Sequence, residues 1–451
     1  MKTATSRPDD FEEDRSRLLA LAVSGLATGA LAGLVGSAFH FALAAAERWR
    51  GAVLDWAHRY PDVGWLAPVL LAAGAAFIAR WLVRRYAPEA SGSGVQRVEA
   101  LLRGDAGRLN PAVVPVKFAG GVLALGAGLA LGREGPTVQM AAALGEAWAR
   151  IFKLRPGDHR ALLAAGAGAG LAAAFNAPLA GAIFVFEELL RRFELRVAVA
   201  TLAACSGGLV IMRMLIGDQL VFAVPPFVVE LFPGFLLFLG FGVVMGALGV
   251  LYSRLVVAGL GLADHMQPMR PELLAALVGG VVGLLAWVAP GAIGGGESLV
   301  RTLLGGGHAF VTVASLFAIR LLLGPLCYAP GLPGGLFAPL LVVGAAAGIM
   351  FATGVQTLVP GLHLSLVAYA AVGMGALFVA VVGAPVTGIA LVVEMTGATT
   401  LFIPLLIACA SALAVPALLD CRPIYDTLRE RDTKRRRAVM TKQMPLAGRP
   451  S

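Results

Sequence analysis

"GREGPTVQMAAALGEAWA", residues 132–149, and "GLFAPLLVVGAAAGIMFA", residues 335–352, align without a gap. Gly132 falls on Gly335, Pro136 on Pro339 and Gly145 on Gly348. A second pair follows in the same order. "NAPLAGAIFVFEE" from Asn176 matches "GAPVTGIALVVEM" from Gly383, with Pro178 on Pro385, Gly181 on Gly388 and Glu187 on Glu394. Two ordered matches at nearly one offset describe a chain built from two related halves. Both pairs are apolar stretches broken by Gly and Pro. Interrupted membrane helices at matching places in two halves point to a transport site at the interface between the repeats.

The surroundings agree with a membrane setting. Of 451 residues, 58% are hydrophobic and 14% charged, and mean hydropathy is +0.81. A soluble domain carries about a quarter charged residues. Runs such as "LLALAVSGLATGALAGLVGSAFHFALAA" from Leu18 and "LFPGFLLFLGFGVVMGALGVLY" from Leu231 are long enough to cross a bilayer. The expected class is therefore an all-α integral membrane protein with many spans, some of them partial. The N-terminus, "MKTATSRPDDFEEDRSR", is too polar for a cleavable signal peptide. Net charge is +9, and basic residues gather in "RWLVRR", "RIFKLR" and the tail "RERDTKRRRAVMTK". Positive segments stay on the cytoplasmic side, which places the C-terminus inside. The same basic tail makes nucleic-acid binding a weak reading, since a membrane protein needs such a flank anyway. Cys205, Cys327, Cys409 and Cys421 stand singly, and the six histidines are scattered. Neither a disulfide framework nor a metal site is expected.

The break at Gly132–Pro136 holds a carboxylate, Glu134, in an otherwise apolar run. The first N–H groups of a helix lack partners and carry partial positive charge. A helix start at membrane depth is an anion site, and Glu134 lies where an anion would bind. The second half puts Phe337 at the aligned position, so only one of the two helix starts carries an acid. Intramembrane acids are costly and usually functional. Arg133 beside it would steer anions toward the mouth.

These motifs resemble the CLC family of chloride channels and chloride/proton antiporters. The resemblance is carried by "SGSGVQ" at Ser91, "GREGP" at Gly132, "GLFAP" at Gly335 and "PIY" at Pro423. "VPVKF", "NAPLAGAIFVFEE", "GGGES" and "GAPVTGIALVVEMT" between them add to it. It runs from about residue 20 to residue 430, and four motifs in order are specific where one alone is not. It implies a CLC-like bundle of tilted and partial helices in two inverted repeats, about 18–215 and 225–420. Residues 18–430 then form the transport domain. Residues 1–17 form a cytoplasmic N-terminal segment, and residues 431–451 a basic cytoplasmic tail. It implies a homodimer with one pore per subunit, multi-pass in the cell inner (plasma) membrane, with chloride as bound substrate and no cofactor.

Carried over residue by residue, the resemblance makes Glu134 the gating acid and Glu188 the internal proton-transfer acid. The chloride site consists of Ser93, Tyr425 and the amides of Leu336 and Phe337, with Arg133 and Gly135 beside it. The family motif usually ends in Ile-Pro, where this chain has Val95 and Gln96, which adds amide donors near the site. The chain as read ends soon after Tyr425, so paired cytoplasmic regulatory domains are not expected. From the residues alone, Glu187 and Glu188 are equally acids at a helix end that pair with Arg191 and Arg192. Glu394 has only symmetry behind it and is expected to be structural.

The expected function is exchange of chloride for protons. A passive voltage- or pH-gated chloride channel of the same fold is the alternative, which would not need Glu188. An enzyme is not expected, because no HExxH, GxSxG or paired-Asp motif occurs.

Overall fold

A computed structural model describes residues 8–224, 234–266 and 269–443. The first half comprises α1 (Pro8–Ala57), α2 (Leu66–Tyr86), α3 (Val95–Leu102), α4 (Val113–Gly126), α5 (Glu134–Ile151), α6 (Pro156–Phe175), α7 (Pro178–Phe184) and α8 (Leu195–Ile216). The second comprises α9 (Gly234–His265), α10 (Pro271–Val288), α11 (Glu297–Gly305), α12 (Phe310–Tyr328), α13 (Phe337–Leu358), α14 (Leu366–Val382), α15 (Pro385–Thr396) and α16 (Phe402–Leu418). Helix α17 (Ile424–Gln443) closes the chain. Much of the expected basic tail, and the end of the polar N-terminal segment, are thus continuous with helices.

Among the described residues, eight helices are long and apolar enough to cross a membrane. Others, such as α3, α7 and α15, are too short to span about 30 Å and are the partial helices the Gly/Pro breaks imply. Proline stands in the first turn of α6, α7, α10 and α15, where its missing N–H costs nothing. Asn176 and Gly383, which align in the repeat, both end their helices in the left-handed conformation. Asn and Gly are the residues that tolerate it.

The two halves pack alike. α5 lies on α6 as α13 lies on α14, and α8 packs on α1 as α16 packs on α9. Helices α6 and α14 form the centre, with unbroken buried runs at residues 161–175 and 368–382. Their Ala- and Gly-rich sequences let neighbouring backbones approach closely, the usual packing mode in lipid. The large apolar side chains of α1 and α9 are exposed, Leu34, Phe41, Leu236 and Val243 among them, as a lipid-facing surface requires.

The inversion is visible where the halves meet. Gly132 and Gly335 pair in an isolated antiparallel bridge, with N–H to O=C bonds of 2.8 and 2.7 Å. Glu394, late in α15, accepts from the amides of Leu179 (3.0 Å) and Ala180 (2.7 Å) at the start of α7. Glu187, just past α7, accepts from Val386 (2.9 Å) and Thr387 (2.7 Å) at the start of α15. Each helix start therefore lies beside the other helix's end, and the pair runs antiparallel. The aligned acids do the same work in opposite halves: each supplies the anion that the other's helix N-terminus favours.

Candidate functional site

Glu134 opens α5, and its carboxylate reaches across to the start of α13. Oε1 accepts from the amides of Phe337 (2.8 Å) and Ala338 (3.3 Å). Glu134 is 1% exposed. The acid of one repeat thus sits on the helix N-terminus of the other, where the expected anion site was placed. The amides it engages are those of Phe337 and Ala338; Leu336 lies one residue outside, at the N-cap. A Cβ on either Gly132 or Gly335 would overlap this carboxylate, so the bridge leaves room for the acid only because both residues are glycines.

Ser93 and Tyr425 come together beneath it. Both are fully buried, and Ser93 is the neighbour that a side chain at Gly135 would strike, at 2.5 Å from the serine Oγ. The Ser93 and Tyr425 hydroxyls lie against each other, neither bonds any other described residue, and Glu134 Oε2 is unpaired. Buried polar groups are normally satisfied. Two hydroxyls beside a helix N-terminus can turn their O–H groups toward a small anion, and the helix N-terminus disfavours a cation. Phe337 separates this donor set from its surroundings. Its ring packs on Tyr425 (5.7 Å between centroids), Phe378 (4.7 Å), Phe184 (6.0 Å) and Phe175 (6.4 Å).

Two buried cations hold the loops that build the site. Lys117 Nζ, on α4, donates to the carbonyls of Ala90 (3.0 Å) and Gly92 (2.6 Å), immediately before Ser93. Arg320, on α12, donates to the carbonyls of Gly294 (2.7 Å) and Gly295 (3.2 Å), ahead of α11. Neither was singled out from the sequence. The signal was present: a lone cation within "VVPVKFAGG" and within "LFAIRLLLG", since charges at membrane depth need partners.

Glu188 is 2% exposed and lies in the π-helical turn Val185–Leu190 that extends α7. One carboxylate oxygen is 3.9 Å from Arg191, and the other has no partner. Around it gather groups that the sequence did not connect. Arg191 bonds Asp426 of α17 at 2.7 Å. Arg103 bonds Glu99 of α3 at 2.7 Å, and Arg429 lies 3.4 Å from Glu99. Burial pushes the Asp426 carboxyl up, but its bonds to Arg191 and Arg429 outweigh this and hold it below its ordinary value. Arg192 pairs instead with Glu194. The alternatives left open at Glu187 and Glu188 thus separate: Glu187 is committed to capping α15, whereas Glu188 keeps an unpaired oxygen.

Arg133 does not point at the donor set. Its guanidinium bonds Glu297 of α11 (3.0 Å) and Nδ1 of His40 on α1 (2.5 Å). These residues line a cavity of about 280 Å³ that reaches Glu134 and includes Arg50, Phe175 and Arg301. None of its lining residues belongs to α3 or α17. Gln96 is buried, and its side chain reaches the Tyr328 hydroxyl and Asp432 of α17.

Fold and site together define a multi-span membrane protein of two inverted halves, with a buried anion-type donor set where their broken helices meet. Residues 75–417 match the family described as voltage gated chloride channel, and the chain belongs to that family, the CLC proteins. It is 40% identical over 425 residues to the H(+)/Cl(-) exchange transporter ClcA of Vibrio cholerae, covering 91% of this chain and 89% of that one. It is 39% identical over 422 residues to the ClcA of Vibrio parahaemolyticus, covering 90% and 88%. Among solved structures, a slow cyanobacterial Cl-/H+ antiporter superposes with a TM-score of 0.87 at 33% identity, covering 92% of this chain and 98% of that one.

Proposed function

We propose that this chain exchanges chloride for protons across the membrane, with Glu134 as gating acid and Glu188 as internal proton-transfer acid. The observation that carries the reading is the Glu134 carboxylate on the amides of Phe337 and Ala338. An acid that holds an anion's place must leave before an anion can take it. Protonation removes its charge and with it the attraction of the helix N-terminus. Chloride then takes the amides together with the hydroxyls of Ser93 and Tyr425. When Glu134 loses its proton it returns, and chloride is displaced. One ion thereby excludes the other, which is the requirement for exchange.

Glu134 alone cannot reach water on both sides of a bilayer about 30 Å thick. Glu188, buried beside α17 with one free carboxylate oxygen, is the second proton carrier. The arginines around it keep its acidic neighbours paired. With the basic α17 in the cytoplasm, Glu188 lies on the inner side and the Arg133 cavity on the outer side, in the plasma membrane. In a homodimer each subunit carries one such pathway. The names of the relatives at 39% and 40% identity support the same reading.

The test is simultaneous chloride and proton flux from proteoliposomes loaded with chloride. Wild type should drive protons uphill. Glu134→Gln and Glu188→Gln should each stop proton movement while chloride continues to flow. Chloride flux in wild type without uphill proton movement would establish a passive channel instead.

A further inference from the structure

We propose that His40 is a positioning residue for Arg133 whose protonation reorganises the mouth leading to Glu134, so that chloride capture from that side depends on pH separately from the gating acid. The inference adds to the exchange reading and concerns the same pathway.

The geometry dictates the imidazole's state. Arg133 carries only donors, and one of its nitrogens stands 2.5 Å from His40 Nδ1. Nδ1 must therefore present its lone pair, and the ring is neutral with its proton on Nε2. A protonated ring has N–H on both nitrogens and sets one cation directly against another. The remaining charges around it do not remove this conflict. From α11, Glu297 faces it but already bonds both Arg133 (3.0 Å) and Arg301 (2.9 Å). From α5, Glu134 is held by the amides of α13. On α1 itself, Glu47 lines the same cavity, and Arg50 is bound to the carbonyl of Gly126 (2.7 Å). Protonation of His40 thus expels the Arg133 guanidinium toward Glu297 and the cavity. It also adds a positive charge to a concave mouth, where charge of one sign concentrates counter-ions. Imidazole is the side chain whose charge responds most readily to pH, so the pH on that side sets the state of the mouth.

The measurement is the apparent KM for chloride entering from the Arg133 side of full-length protein in proteoliposomes. The pH on that side is varied from about 8 to 5, and the opposite side is held constant. It is made in wild type and in a Glu134→Gln background, where the gating acid no longer titrates. In both, KM should fall with pH, by up to about tenfold, while the maximal rate in the Glu134→Gln background stays level. Adding His40→Gln, which keeps an acceptor for Arg133 but cannot charge, should hold KM at its high-pH value throughout. His40→Lys should hold it at the low-pH value. In the Glu134→Gln background, a pH slope that survives His40→Gln overturns the proposal, as does a flat KM with chloride still flowing. Loss of chloride flux in that background would instead count against the exchange reading; the difference in pH slope between wild type and His40→Gln then reads the part due to His40, and equal slopes overturn the proposal.

Discussion

Ser93 and Tyr425 contribute one hydroxyl each, and neither is committed to a group beyond this pair. A hydrogen bond to a charged group contributes about 1.5–3 kcal/mol. Ser93→Ala and Tyr425→Phe each remove one such donor and little volume. Chloride affinity measured by calorimetry should fall by roughly tenfold to a hundredfold in each. Unchanged affinity in both would remove the two hydroxyls from the site. Lys117 acts one step back. Lys117→Met leaves the carbonyls of Ala90 and Gly92 without their donor in a buried loop. Chloride affinity should weaken although no anion ligand has been touched, because the loop that presents Ser93 loses its anchor.

Helices α7 and α15 share a fate through Glu187 and Glu394. Each carboxylate takes two backbone amides of the facing helix start, and Glu187 also accepts from the Thr387 hydroxyl at 2.7 Å. Partial helices have too few internal bonds to stand alone, so these caps fix their register. Glu187→Ala and Glu394→Ala should each destabilise the protein by about 1–3 kcal/mol, visible as a lower thermal midpoint in detergent. The double variant should lose less than the sum, because both caps hold one helix pair. Glu187→Gln retains an acceptor and should leave the ratio of chloride to protons unchanged. If it stops proton pumping as fully as Glu188→Gln does, the division of labour between the two acids is wrong.

At the scale of the whole molecule, α17 ties the end of the chain to the proposed anion site, because it carries both Tyr425 and Asp432. Burial pushes the Asp432 carboxyl up to about 6, against the pull of Arg431 and of its contact with Gln96. With α17 released into water, the group would return toward about 3.9. The docked state therefore binds more protons between those values, so docking strengthens as pH falls from about 6 toward 4 and is level above about 6. Protection of the α17 amides, relative to their intrinsic exchange rates, should fall as pH rises from about 4 to 6 and stay level above that, and Asp432→Asn should abolish the dependence. Gln96→Pro removes the side chain that Asp432 meets. It should loosen α17 more than it alters anion preference, since Gln96 faces Tyr328 and α17.

Helix starts and stops are local events, and for that reason the sequence by itself determined them. Pro178 and Pro385 open helices wherever they stand, Asn176 and Gly383 end them, and a twenty-residue apolar run must find lipid. The same locality exposed the repeat, the acid at Gly132–Pro136 and the family motifs. What a buried polar group binds is decided by packing across long separations. The amides under Glu134 come from residues 203 and 204 positions away. The split between Glu187 and Glu188 depends on α15, some 200 positions on. Nor could spacing show that Arg133 turns to His40, or that Lys117 holds the Ser93 loop. Those pairings exist only once two inverted halves have brought their broken helices to one point, where unpaired charge is too costly to leave and each polar atom takes the partner within reach.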